Sequence, residues 1–326
     1  MKQAAVSPAG AVAAAPPGNR RGKVKAPRLK FRANRDIPIY LLLLPALGLL
    51  FVFNYIPMSG IIMSFEDYSP WKGLTGSEWV GLKHFIYFLS DGNFWRVMGN
   101  TLTINFYSIL FGLPFPLIFA LMLNEVRSKW FKKTLQTVSY LPYFISWVVV
   151  ASIVTTVLSP DGGLVNVLLG KLGMEPTYFL TKEQYFQPIL VISGIWKDFG
   201  MNAVYYIAAL AGIDPQLYEA ASMDGAGKWK QLFHITLPGV KNMFILLLIL
   251  RVGTMVTIGF EQVFLLYNPT VYSVGDVIST YTYRLGIEQS QYSLTTAIGF
   301  TQSIVNFALV FGTNKLSKKL GGYSLW

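Results

Sequence analysis

The sequence predicts an all-α membrane protein with about six transmembrane helices. Three observations carry that prediction. Hydrophobic residues make up 53% of the 326 and charged residues only 13%, where soluble domains carry charge near a quarter. Mean hydropathy is +0.44. The apolar residues are gathered into blocks long enough to cross about 30 Å of hydrocarbon as helices. Within lipid, only helices and closed barrels satisfy every backbone polar group.

Residues 1–36 precede the first block as a basic cytoplasmic tail. Nine Lys/Arg lie in 1–35 with no Asp or Glu, so the tail accounts for most of the net charge of +11. Its Ala/Pro/Gly-rich first half reads as disordered. A polybasic stretch just ahead of a membrane helix serves orientation and contact with anionic lipid, at about 1 kcal/mol per residue. A nucleic-acid surface is the competing meaning of such a run; no nucleic-acid partner is expected here.

The remainder, 37–326, holds membrane segments at about 37–65, 97–124, 134–158, 188–211, 239–266 and 292–314. The first starts too deep, and runs too long, for a cleavable signal. Its Pro38, Pro45 and Pro57 predict kinks or a break, and Pro114 and Pro116 do so in the second. Neighbouring helices must satisfy the backbone groups those prolines free.

Lys and Arg set the orientation. The tail with 125–133, 212–241 and 312–326 holds 19 of them, and the alternate loops 66–96, 159–187 and 267–291 hold 6. The richer side is expected to be cytoplasmic, with both termini on the cytoplasmic side of a bacterial inner membrane. The opposite loops are aromatic: the first carries Trp71, Trp79, Phe85, Tyr87, Phe88, Phe94 and Trp95. Interface anchoring and a docking surface for an extracytoplasmic protein both explain such residues.

One polar island interrupts the membranous pattern, Glu219-Ala-Ala-Ser-Met-Asp-Gly-Ala-Gly227 running on to Ile235-Thr-Leu-Pro238. Asp214 is a good N-cap and Pro215 suits the first helical position. Leu217, Ala220 and Ala221 fall at i, i+3, i+4 and form a small apolar stripe. Asp224-Gly225 is a helix-ending turn. A second short helix fits Lys228 to Phe233, with Pro238 opening the next long one. A helix of about nine residues is not stable alone in water and must dock on something.

These residues resemble the coupling loop of ABC importer permeases: Glu-Ala-Ala, a glycine six residues after the Glu, then Ile-x-Leu-Pro. Glu219, Ala220, Ala221, Gly225, Ile235, Leu237 and Pro238 all match. Other stretches narrow the resemblance. Tyr140-Leu-Pro-Tyr-Phe-Ile-Ser146, Ser159-Pro-Asp-Gly-Gly163, Ile195-Trp-Lys197, Tyr218-Glu-Ala-Ala221 and Gly322-Tyr-Ser-Leu-Trp326 are similar to oligosaccharide importer permeases, above all those assigned to uronate-containing sugars such as alginate. The resemblance covers 37–326.

It implies an ABC importer permease fold and no enzyme activity in this chain. The implied complex is a heterodimer with a second homologous permease, two ATPase subunits that bind ATP and Mg, and an extracytoplasmic solute-binding protein that delivers the oligosaccharide. The chain itself then needs no cofactor. The loop over 212–238 would seat in the ATPase, with Glu219 as anchor and Gly225 as close-approach point. Leu217, Ala220 and Ala221 would form the buried contact. The transport cavity would alternate between the two membrane faces.

Charges at membrane depth are costly and often functional. Arg251 lies some eleven residues past the start expected for its helix, and Lys197 and Asp198 occupy the middle of the fourth segment. Arg251 or Lys197 is expected to face the cavity and favour an anionic sugar; the alternative is a structural network between helices. Trp196, Tyr205 and Tyr206 could stack on sugar or pack in the core. Glu261 is expected near the outer edge of the fifth segment.

Cysteine is absent and the two histidines, His84 and His234, are 150 residues apart. Thiolate chemistry, disulfides and ordinary zinc sites are therefore excluded. Gly163 to Gly170-Lys171 has the wrong spacing for a P-loop and is followed by Leu172. Three alternatives remain at this point. One is an importer of neutral sugars or other solutes on the same fold. The others are a membrane enzyme using Asp161, Asp198 and Glu261, and an ion-coupled transporter.

Overall fold

The computed structural model describes residues 33–321, without the side chains of 33–36, Ile39, 320 and 321. The tail up to residue 32 and the Gly322–Trp326 ending lie outside the described residues. The chain divides after Met58 into two units.

The first unit holds α1 (Ala33–Leu50), a π turn Phe51–Tyr55 and one further α turn, Ile56–Met58. The helix therefore begins inside the stretch expected to be tail. Pro57 lies two residues beyond the π turn. A proline has no N–H, and its ring meets the carbonyl four residues back; a wider turn takes up that misfit.

The second unit opens with a 3-10 turn Ser59–Phe65 and a two-residue antiparallel ribbon, β1 (Glu66–Asp67) on β2 (Glu78–Trp79). There follow α2 (Lys83–Ser90), α3 (Gly92–Gly112), α4 (Pro114–Glu125), α5 (Lys129–Tyr140), α6 (Trp147–Leu158) and α7 (Leu164–Lys171). After these come α8 (Glu183–Ala211), α9 (Pro215–Met223), α10 (Lys228–Gly253), α11 (Phe260–Leu266), α12 (Ile278–Tyr283) and α13 (Tyr292–Gly321).

Helix α8 is the pillar of this unit. Its 29 residues reach about 43 Å at 1.5 Å per residue. Phe186 and Leu190 near its start pack with Ile104, Val263 and Val277. Ala203, Tyr206 and Leu210 near its end pack with Ala120 and Val240. A third cluster joins Phe88 and Phe94 to Ile278, Tyr281 and Ile298. Two aromatics of the first loop thus belong to the core, whereas Trp71 and Trp79 are exposed.

Among the described residues, four helical runs are long and apolar enough to span a membrane: Tyr40–Phe65, Gly92–Glu125, Lys228–Gly253 and Tyr292–Lys319. The α5–α6 pair makes a fifth if its two arms are one span. Helix α8 has the length, but Lys197 and Asp198 interrupt its apolar run.

Two segments differ from the sequence expectation. The one expected over 134–158 is two helices at 103°. The reason is Leu141–Phe144, a 3-10 turn containing Pro142, after which the chain restarts a helix from Ser146. The one expected over 239–266 begins at Lys228, so the short helix expected over Lys228 to Phe233 and the long apolar helix are continuous. A π turn Leu232–Thr236, again two residues before a proline, carries the helix past Pro238. The same segment stops at Gly253 and resumes only at Phe260.

Candidate functional site

The break between Gly253 and Phe260 is irregular backbone next to long apolar helices. Such backbone is tolerated at membrane depth only where protein groups satisfy it or it lines a cavity. Both hold here. Asn105 of α3 donates to the carbonyls of Met255 at 2.8 Å and Thr257 at 3.3 Å. From α13, Gln302 donates to the Val256 carbonyl and Asn306 to the Thr257 hydroxyl at 2.9 Å. Gln262, just past the break, donates to the Leu190 carbonyl at 2.6 Å.

Beside this break lies a cavity of about 200 Å³ walled by α3, α8, the end of α10 and the start of α6. Ser108, Asn202, Asp198, Arg251, Gln262 and Trp147 give it a polar and aromatic lining. It is smaller than the ~300–1,000 Å³ of ordinary ligand pockets.

Arg251 stands in the last turn of α10, two residues before the helix ends, rather than in mid-helix. Its side chain is exposed toward the cavity, and no carboxylate among the described residues lies within the 4.0 Å of an ion pair. Asp198 lines the same cavity half-buried. Lys197, its neighbour in sequence, is only 8% exposed and takes no part in the lining. Trp196 and Tyr205 are exposed but also lie off the cavity. Tyr206 is fully buried and donates to the Leu113 carbonyl, at the α3–α4 junction before Pro114. Glu261 is exposed in the first turn of α11.

The second candidate region is α9 and the turn after it. The Asp214 carboxylate accepts from the Gln216 N–H and caps the helix, with Pro215 at its first position. Asp224 ends it, and Gly225 follows at φ +74°. No atom of the described residues would meet a Cβ at Gly225, so among them its constraint is conformational. Tyr218 ties α9 to α10 through the Thr236 hydroxyl at 3.0 Å, and Gln231 does so through Ser222 at 2.9 Å. Ile235, Leu237 and Pro238 belong to α10 itself, where Ile235 and Leu237 are half-buried and Pro238 is exposed.

Leu217, Glu219 and Ala220 are exposed and Ala221 half-buried. Glu219 lines an open groove of about 1,360 Å³ between this region and the end of α4. Sequence reading passed over three exposed apolar side chains here, Met223, Trp229 and Phe233. The Trp229 and Phe233 rings stack at 6.3 Å. Their i, i+4 spacing was the available signal.

Among the described residues no cluster of His, Asp and Glu could hold a metal ion. Comparison with known proteins adds the following. The profile described as "Binding-protein-dependent transport system inner membrane component" matches residues 112–321. The polygalacturonan/rhamnogalacturonan transport system permease protein YteP of Bacillus subtilis is 43% identical over 92% of this chain and 93% of its own. Protein LplB of the same organism is 44% identical over 87% of this chain and 90% of its own. Among solved structures, a bacterial ABC transporter involved in the import of the acidic polysaccharide alginate superposes with a TM-score of 0.82. It is 42% identical over 89% of this chain and 98% of the matched one. A second structure holds a bacterial alginate ABC transporter with an alginate pentasaccharide-bound periplasmic protein, at TM-score 0.82 and 41% identity over 90% and 98%.

Proposed function

The chain belongs to the binding-protein-dependent transport system inner membrane components, as an ABC importer permease for oligosaccharides and not an enzyme, and from that premise we propose that its substrate is an acidic oligosaccharide. A solute-binding protein delivers the sugar. A second homologous permease completes the membrane pathway, and two ATPase subunits bind ATP and Mg. Leu217, Glu219, Ala220, Ala221, Asp224 and Gly225 form the surface that seats in the ATPase. ATP-driven closure of the ATPase pair, carried by α9 into the tied α10, then switches the cavity between membrane faces. Both termini are cytoplasmic in this reading.

The observation that carries the acidic substrate is Arg251. A guanidinium at a helix end, open to the cavity and with no ion-paired carboxylate among the described residues, is suited to a uronate carboxylate, which it can hold by two parallel bonds. The names of the relatives support the same class. The test is uptake of an oligogalacturonate into proteoliposomes that contain the assembled complex. Arg251→Gln is expected to lower uptake by about tenfold or more, the scale of one hydrogen bond to a charged group. Unchanged uptake in a correctly assembled Arg251→Gln complex removes Arg251 from the pathway.

A further inference from the structure

Lys197 was expected as a candidate for the translocation path, yet its ammonium is fully committed elsewhere. Its Nζ donates to the carbonyls of Ile145 at 2.7 Å, Tyr143 at 2.8 Å and Pro142 at 3.3 Å. An ammonium has three donors and no more, so none is left for a substrate. No carboxylate among the described residues pairs with it. The rings of Tyr143 and Trp147 complete the shell, each centred 5.6 Å from Nζ.

This shell has a structural origin. The 3-10 turn between α5 and α6 ends one helix and starts another without continuing the hydrogen-bond ladder, and it leaves carbonyls to be satisfied by other groups. Three carbonyl dipoles and two aromatic faces are what a buried cation needs in place of water. Gly200, one turn along α8, lets the two elements come this close: a Cβ there would overlap the Ser139 carbonyl. One lysine therefore answers the carbonyls of Tyr143 and Ile145, shares that of Pro142 with the Ile145 N–H, and holds the turn that precedes α6.

The residue that begins α6 is Trp147. It is half-buried, lines the cavity that Asp198 and Arg251 also line, and its indole N–H donates to no group among the described residues. An aromatic plane on a polar cavity wall with a free N–H is suited to the apolar face and a hydroxyl or carboxylate oxygen of a pyranose ring.

We infer that Trp147 is a sugar-stacking wall of the cavity and that Lys197 is its positioning residue, a cationic strut that touches no substrate. This rests on the oligosaccharide-importer reading above. The test uses the complete complex in proteoliposomes, with a galacturonate tetrasaccharide as probe and co-purification of the ATPase as the check of assembly. Trp147→Ala is expected to lower uptake by about tenfold, and Trp147→Phe, which keeps the plane, by less than about threefold. Lys197→Met is expected to lower uptake similarly. The double variant is expected to be no worse than Trp147→Ala, because both changes remove one element.

Equal uptake by Trp147→Ala and the wild type overturns the inference, as does a double variant whose loss is the product of the two single losses. If Lys197→Met does not assemble, the Trp147→Ala and Trp147→Phe pair decides alone: equal losses in both overturn the stacking wall. Failure of the wild-type complex to import any oligosaccharide would instead defeat the functional reading itself.

Discussion

The segment 267–291, which leads from α11 to α13, and the segment 214–231, which leads from α8 into α10, solve opposite problems. In 267–291 the polar groups are answered inside the chain. Asp276 is 1% exposed and pairs with Arg284, whose guanidinium lies against the rings of Tyr272 and Tyr281. Asn100 donates to the carbonyls of Ser273 and Asp276, and the Thr101 hydroxyl accepts from Ile278 N–H. The Tyr281 hydroxyl donates to Asp91, the residue that caps α3. Burial, and then that bond to Asp91, push the Tyr281 phenol up; burial chiefly pushes Tyr267 up to about 12.

In 214–231 little is answered inside the chain. Leu217, Met223 and Trp229 face outward, at 53%, 90% and 74% exposure, and Glu219 has no partner among the described residues. Two hydrogen bonds, from Tyr218 and Gln231, hold α9 on α10. A connection that satisfies itself is a structural cap. One that leaves an apolar stripe and a carboxylate exposed to solvent is the surface proposed above to seat in an ATPase.

The largest expected effect breaks the first half of that comparison. Asp276→Ala leaves the half-buried Arg284, which lies against two rings, without its anion, and should cost about 3 kcal/mol. The thermal unfolding of the purified complex would read this as a large fall in midpoint. Asp276→Ala with Arg284→Met should recover part of the loss. A midpoint unchanged by Asp276→Ala would mean that the cap does not depend on its ion pair.

The next sharpens the second half. Gly225→Ala puts a Cβ on a left-handed residue, at about 1 kcal/mol, whereas Asn tolerates that conformation better. If the turn alone mattered, Gly225→Asn would retain the ATPase through purification. If α9 docks as proposed, Gly225→Asn and Gly225→Asp should both lose it while thermal stability falls by no more than about 1 kcal/mol.

The smallest concerns the exposed ribbon. The hydrogen bond from Lys83 to Asp67, at 2.9 Å, holds the Asp67 carboxyl below its ordinary range. A depressed carboxyl contributes stability above its unfolded pKa and loses it as pH falls through the folded value. Any contribution is thus complete at neutral pH and disappears in acid, as pH falls below the ordinary carboxyl value of 3.8 and through the lower folded one. Both side chains are more than half exposed, so solvent screening should keep the effect of Asp67→Asn at pH 7 within about 0.5 kcal/mol. A larger effect would show the ribbon to be structurally important.

The two regions were not equally legible. The α9 helix could be read because its instructions are local: a cap at Asp214, a proline at 215 and a glycine at 225 act on their own neighbours. Nothing in 267–291 announces a buried ion pair, since Asp276 and Arg284 look like ordinary loop charges until Asn100 and Thr101 of α3 are brought to them. The cavity was half legible. Asp198 and Arg251 stood out as charges among apolar residues, while Trp147 was hidden inside what read as one continuous span.

Hydropathy, capping and glycine conformation act within a few residues, so a mostly helical membrane chain, the positions of most long apolar segments and the turn at Asp224-Gly225 are written in the amino-acid sequence. Where two segments break, and that Asp198 and Arg251 rather than Lys197 line the cavity, depends on contacts made in the folded chain. A break needs its backbone groups satisfied, and the groups that do so come from far along the chain. Lys197 reaches Tyr143 across 54 residues, and Asn105 reaches Met255 across 150. Lys197 and Asp198 are adjacent in sequence, yet one stabilises a helix break and the other lines the cavity, because successive residues of a helix point about 100° apart.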